Sequence, residues 1–214
     1  MRSKGLEGYP FPDYLFAQTR WPVRFERLFN YLTEIHPISD VFRSAIAREL
    51  TLMSLPKNHM LLEAPRVSDY AWYLDRGFAM SYTYTEGGMR VENFWKSGQL
   101  ILSVRSFFEQ IPSTENIRVM TAAEVVFISY KSVQRLFRDF PEAHFIYEAV
   151  LNRYYEESRE RANDLITLNA KNRYRKLLMT YPRIEQMVSQ EHIASYLGIA
   201  PQSLSRLKRQ MKEK

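Results

Sequence analysis

The segment "PQSLSRLKRQMK", close to the C-terminal end of the sequence, spaces its polar side chains as a surface that hydrogen-bonds to and neutralises a polyanion. On helical geometry Gln202, Ser203, Ser205, Arg206 and Arg209 share the outward side, while Leu204 and Leu207 turn inward. A glutamine amide matches the edge of adenine in a major groove, and an arginine guanidinium matches guanine. Lys208, Arg209, Lys212 and Lys214 suit phosphates. Ser189 and Gln190, where the preceding helix begins, join them as candidate contacts to double-stranded DNA. From Pro201 onward there are five bases against Glu213 alone. A solvated basic tail would carry the same charge, so charge alone does not decide between the two.

The residues that must position this face decide more. Ile193, Ala194 and Leu197 form the inner side of a helix beginning near Ser189. Gly198 falls where that helix must end, and glycine takes the left-handed conformation there without a Cβ penalty. Ile199 plugs the corner, and Pro201 fits the first turn of a second helix, where its missing N–H costs nothing. A small residue, then a glycine four residues on, then an aliphatic six residues later is a helix-turn-helix pattern.

The chain has 214 residues with 45% hydrophobic content, enough for one large or two small domains with a sizeable core. Net charge is +6, and residues 141–214 hold 13 bases against 9 acids. Cysteine is absent, which excludes disulfides, thiolate metal sites and cysteine-ligated iron–sulfur clusters. No run approaches the roughly 20 apolar residues that span a bilayer. The start lacks the apolar core of a secretory signal, so a cytoplasmic protein without a membrane partner is expected.

Residues 1–24, with Gly5, Gly8, Pro10 and Pro12, read as an irregular arm. Phe25, Leu28, Phe29, Leu32 and Ile35 fall at helical spacing, Pro37 stops that helix, and Ser39 is placed to cap another. From His59 the period changes. "FAMSYTYT-EGG-MRVENFW" reads as a hairpin, and "RVMTAAEVVFISY" supplies further strands of a small antiparallel barrel or sandwich. Helix returns at Ala143, and the stripe Ile146, Val150, Tyr154, Ser158, Ala162, Leu165 runs without proline or glycine. A helix of that length needs a partner along one face, either its own domain or a second copy.

The order and spacing of these pieces over residues 25–211 resemble the cyclic-AMP receptor protein/fumarate–nitrate regulator (Crp/Fnr) family of bacterial transcription factors. "HMLLEAPRVSDYAWYLDRGFAMSYTYTEGGMRVENFWKSGQLI" looks like the family's barrel, "TAAEVVFISYKSVQRLFRDFPE" like the strand that leads into its dimer helix, and "SQEHIASYLGIAPQSLSRLKRQM" like its DNA-reading unit. The resemblance implies an α+β fold: a double-stranded β-helix (jelly-roll) sensor domain over 25–140, a dimerisation helix over 141–168, and a helix-turn-helix domain over 169–214. It implies a homodimer on a roughly palindromic site, a regulator rather than an enzyme, with RNA polymerase as a further partner.

Departures from the family pattern bear on the effector. The nucleotide cassette has Gln99 where the family has glutamate, and Ser113–Thr114 where it has an Arg-Ser or Arg-Ala pair. Arg105, in the lengthened segment between, is the remaining candidate cation of a pocket formed by Gln99, Arg105, Ser113 and Thr114. Cyclic AMP is therefore not expected, because a buried phosphate needs a cationic partner; the barrel is expected to sense another ligand or none, and no cofactor is expected. His36 and His59 lack a haem context. "MTYPRIEQMV" is too short for a full wing before the helix-turn-helix. Pro201 and Gln202 replace a base-reading arginine and glutamate of the family pattern, while Arg206 is retained, so the operator should differ. A cupin-like enzyme would need clustered histidine and carboxylate ligands that the sequence lacks. A sensing or interaction module whose helical C-terminus binds protein stands as the alternative.

Overall fold

A computed structural model describes residues 25–212. Two antiparallel four-stranded sheets face one another. Sheet A runs β1 (Thr51–Leu55), β8 (Ala123–Ser129), β3 (Tyr70–Arg76), β6 (Gln99–Ile101). Sheet B runs β2 (Met60–Leu62), β7 (Asn116–Val119), β4 (Phe78–Thr85), β5 (Gly88–Lys96). Between them Leu62, Trp72, Leu74, Ala79, Trp95, Ile101, Ile117 and Val125 form the barrel core. The expected hairpin is β4–β5, with Thr85 opposite Gly88.

Helices cover the outer face of each sheet. Over sheet A lie α1 (Glu26–Ile35) and α2 (Asp40–Glu49), together with α4 (Tyr130–Asp139) and the start of α5 (Pro141–Thr167). The Ser39 side chain caps α2 by accepting from the Phe42 N–H, and Ser129 caps α4 in the same way. Residues 25–35 bury Leu28, Phe29 and Leu32 against Tyr73 and Val126 on sheet A. In the lengthened segment after β6 the chain forms a short helix, α3 (Val104–Glu109).

Sheet B is covered by the C-terminal helices: α6 (Ala170–Thr180), α7 (Ile184–Met187), α8 (Gln190–Leu197) and α9 (Pro201–Lys212). This explains a departure from alternation in β4, whose first five residues are all buried. Ala79 and Ser81 point into the barrel, while Phe78, Met80 and Tyr82 point out into the layer formed by Tyr174, Leu177, Tyr181, Ile193 and Leu197. A strand buried on both faces loses its polar period. Among the described residues no strand stands between α6 and α9; α7 occupies that stretch.

Along the 27-residue α5 the stripe Ile146, Val150, Tyr154, Ser158, Ala162, Leu165 divides between packed and exposed positions. Steps of four residues advance about 40° beyond a full turn, so the stripe winds around the helix. Ile146 and Val150 pack on the chain's own barrel side, and Tyr154 donates to the Leu100 carbonyl at 3.0 Å. Ser158 and Ala162 are exposed at the rim of the barrel cavity. The large apolar side chains of α5 left exposed are Phe145 (52% exposed), near its start, and Tyr155 (65%), Leu165 (42%) and Ile166 (85%) in its second half.

At Gly77, between β3 and β4, φ is +116° and a Cβ would lie 2.8 Å from that of Ala123. Gly77→Ala is expected to lower stability by roughly 2 kcal/mol in urea unfolding, from strain and overpacking together. Gly87→Ala, whose Cβ would meet only Thr85 Oγ1 at 3.8 Å, should change it far less.

Candidate nucleic-acid interface and barrel cavity

Ser189 caps α8, its hydroxyl accepting from the His192 N–H at 3.2 Å. Gly198 ends the helix at φ +65°, and the Ile199 N–H closes on the Ala194 carbonyl at 3.0 Å, the wrap of a Schellman turn. α9 then starts on Pro201, and Ile193, Ala194, Leu197 and Leu204 close the angle between the helices without exposure. Gln190 donates to the Pro201 carbonyl at 3.2 Å and to the Ser205 hydroxyl, locking the two helix starts together.

These bonds sort the residues singled out in the sequence. Ser189, Gln190 and Ser205 serve the turn itself. Lys208 is taken up by an ion pair to Glu185, which also accepts from the Tyr174 hydroxyl. Gln202, Ser203, Arg206 and Arg209 are exposed, and no hydrogen bond or ion pair within the described residues uses their side chains. Arg206 and Arg209 flank the line of Gln202 on one side of α9. The side chain of Lys212, and Lys214 with it, lie outside the described residues.

The unit is held to the barrel at the free edge of β5. A bulge there sets Ser81 opposite Asn93 but Tyr82 opposite Val91, leaving Glu92 unpaired. Ser195 of α8 acts as a stand-in strand: its hydroxyl accepts from the Val91 N–H at 2.9 Å and donates to the Met89 carbonyl at 3.0 Å. Arg161 of α5 donates to the Val91 carbonyl at 3.1 Å and the Tyr196 carbonyl at 3.2 Å. Its guanidinium lies 3.8 Å from the Tyr196 ring centroid. Further along, the Tyr181 hydroxyl donates to the Phe94 carbonyl at 2.7 Å. None of these contacts was anticipated from the sequence; the apolar outward positions of β4 were the available signal.

Inside the barrel a cavity of about 470 Å³ opens beside α5. Arg105, Ser113 and Thr114 border it, but Gln99 does not: its side chain accepts from the Lys96 N–H at 2.8 Å, beside a separate cleft. Gln99 follows the turn after β5 and is turned toward the C-terminal helices. Arg105 is exposed and pairs with Glu109 on its own helix at 3.1 Å. Ser113 is buried and bonds within its loop, its hydroxyl donating to the Glu115 carbonyl at 2.9 Å. Among the described residues no group of three or more His, Asp or Glu is placed to hold a metal ion, and no helix is long and apolar enough to cross a membrane.

Two facing sheets closed by a long helix, with helices joined by a tight turn at the end, are the fold of Crp/Fnr-type regulators and of cyclic-nucleotide-binding domains. No family model matches the chain, and no curated protein matches it in sequence. Solved structures match in fold. A chain from Eubacterium rectale assigned to the Crp/Fnr regulators gives a TM-score of 0.69 at 13% identity, over 86% of this chain and 88% of that one. The c-di-GMP-responsive global regulator CLP of Xanthomonas campestris gives 0.65 at 17%, over 82% and 92%. FixK2 from Bradyrhizobium japonicum gives 0.64 at 16%, over 77% and 85%.

His192, in the first turn of α8, has a buried Nδ1 without a hydrogen-bond partner. Burial lowers its pKa first, the charge of Arg118 on β7 lowers it further, and Glu191 opposes both. The docked state therefore binds fewer protons than the unfolded one. Its stability is full above the ordinary histidine value of about 6.5 and falls as pH drops below it toward the depressed value. Urea midpoints at pH 7.5 and pH 5 should differ more for the unmodified protein than for His192→Gln.

Proposed function

We propose that the chain is a DNA-binding transcription regulator acting as a homodimer, with α9 entering the major groove. The observation that carries this is the side of α9 bearing Gln202, Ser203, Arg206 and Arg209, exposed and unclaimed on a helix whose angle is fixed by Gly198, Ala194 and the Gln190–Ser205 bond. Gln202 and Arg206 are the base readers, and Arg209 with Lys212 meets phosphates. Lys208 holds α9 to α7 rather than DNA. The likeness in fold to Crp/Fnr-type regulators supports the same reading. The domain reads as a helix-turn-helix without a wing, since α7 stands where strands would precede it.

A second copy is the partner of the uncovered stripe on α5, where Tyr155, Ala162, Leu165 and Ile166 share a side. Pairing there would set two α9 helices on successive major grooves of a palindrome, about 34 Å apart. The barrel is the sensing domain. Its cavity holds no buried arginine set for a cyclic phosphate, since Arg105 is exposed beside Glu109 and Arg161 is bound to the Val91 and Tyr196 carbonyls, and this speaks against cyclic AMP as its effector. The alternative, a module whose last helix binds protein, fits the unclaimed side of α9 poorly: that side has no apolar anchor.

Incubation with random duplex pools at moderate salt, followed by sequencing of the retained fraction, should enrich one palindrome. Arg206→Ala should cost roughly 1–3 kcal/mol and relax one position per half-site, whereas Lys208→Ala should leave that preference intact. Absence of any enriched site would overturn the reading. Light scattering should show a dimer for the full chain and a monomer for Tyr155→Glu/Ile166→Glu.

A further inference from the structure

We propose that the barrel cavity is a binding site for an organic cation, a small molecule whose ammonium or amidinium group sits on Glu115 and whose body lies against Trp95 and Tyr154. All three residues border the cavity of about 470 Å³, a size that suits a small organic ligand. As the sensor's effector site this rests on the regulator reading; as a binding site it does not.

The grounds are charge and commitment. Glu115 borders the cavity together with Ser103 and Ser81, two side chains with almost no exposure. Ser81 Oγ, on β4 in the cavity wall, completes no hydrogen bond of its own in the described structure. Among the described residues no lysine or arginine side chain pairs with Glu115. Burial holds its carboxyl above the ordinary carboxylate range, Ser103 and Ser81 draw it partly back, and the charge of Glu92, also in the wall, raises it further.

Two arginines border the same space, and both are engaged. Arg105 pairs with Glu109 on the exposed side of α3, and Arg161 is stacked on Tyr196 while donating to Val91 and Tyr196 carbonyls. An anionic ligand would thus bring a second negative charge beside a half-buried carboxylate, which is costly without a free cation. A cation gains a charge-assisted hydrogen bond to Glu115, a donor for Ser81, and aromatic walls. Trp95 is buried, and the Tyr154 hydroxyl is tied to the Leu100 carbonyl, so the walls are preformed.

Calorimetry on the full chain without DNA, using tryptamine against indole-3-propionate as a matched pair of opposite charge, tests this. Tryptamine should bind and indole-3-propionate and cyclic AMP should not. Tryptamine affinity should fall at least tenfold in Glu115→Gln and stay unchanged in Arg105→Gln. It should also weaken as pH falls and Glu115 takes up its proton, a readout that needs no variant. No heat with tryptamine, equal affinity in Glu115→Gln, or preference for either anion would overturn the proposal. Because DNA is absent, these outcomes are independent of the duplex selection that tests the regulator reading.

Discussion

The backbone of Met89 and Val91, on the outer edge of β5, is the constraint around which the rest of the molecule is arranged. An edge strand carries unpaired N–H and C=O groups, and once apolar layers close over them each group needs a partner. Ser195 supplies two of these bonds and Arg161 a third. One residue comes from the turn-linked pair of helices and the other from the long helix. The edge of the barrel is therefore completed by both the long helix α5 and the first helix of the turn-linked pair. The bulge at Glu92 makes this possible, since it turns Val91 outward and breaks the register with β4.

Arg161 also borders both the barrel cavity and the charged cleft beneath α8. Its guanidinium is shared between a strand carbonyl and a helix carbonyl and lies over Tyr196, itself 4.8 Å from the Phe94 ring. Cavity, long helix and α8 thus meet at one side chain. That is a physical connection of the kind through which an effector can bias a packed arrangement, provided it interacts differently with the two arrangements.

Much of the architecture was legible because local rules and tertiary packing agree. Pro37 and Ser39 mark a helix boundary and a cap, the two glycines after Glu86 mark the hairpin, and Gly198 with Pro201 marks the turn between α8 and α9. The long helix illustrates the opposite case. Counting three and four gives its stripe, and repeated steps of four carry that stripe from packed Val150 to Ser158 and Ala162 at the rim of the barrel cavity. Periodicity identified the helix but not which side faces which neighbour. In the cavity, Ser113 and Thr114 were placed by alignment to a motif, whereas Glu115, one residue on, carries the charge. The ion pair of Lys208 is not legible from sequence because its partner, Glu185, lies on a different helix.

The five consecutive buried residues of β4 bear on how far the chain can be divided. Phe78, Met80 and Tyr82, with Val91 and Phe94 beside them, form a continuous greasy surface once α6 to α9 are removed. A fragment ending after α5 would expose that surface to water and invite association. The barrel and the C-terminal helices are thus not interchangeable modules joined by a linker. They share a core, and loss of one half should melt the other in the same transition.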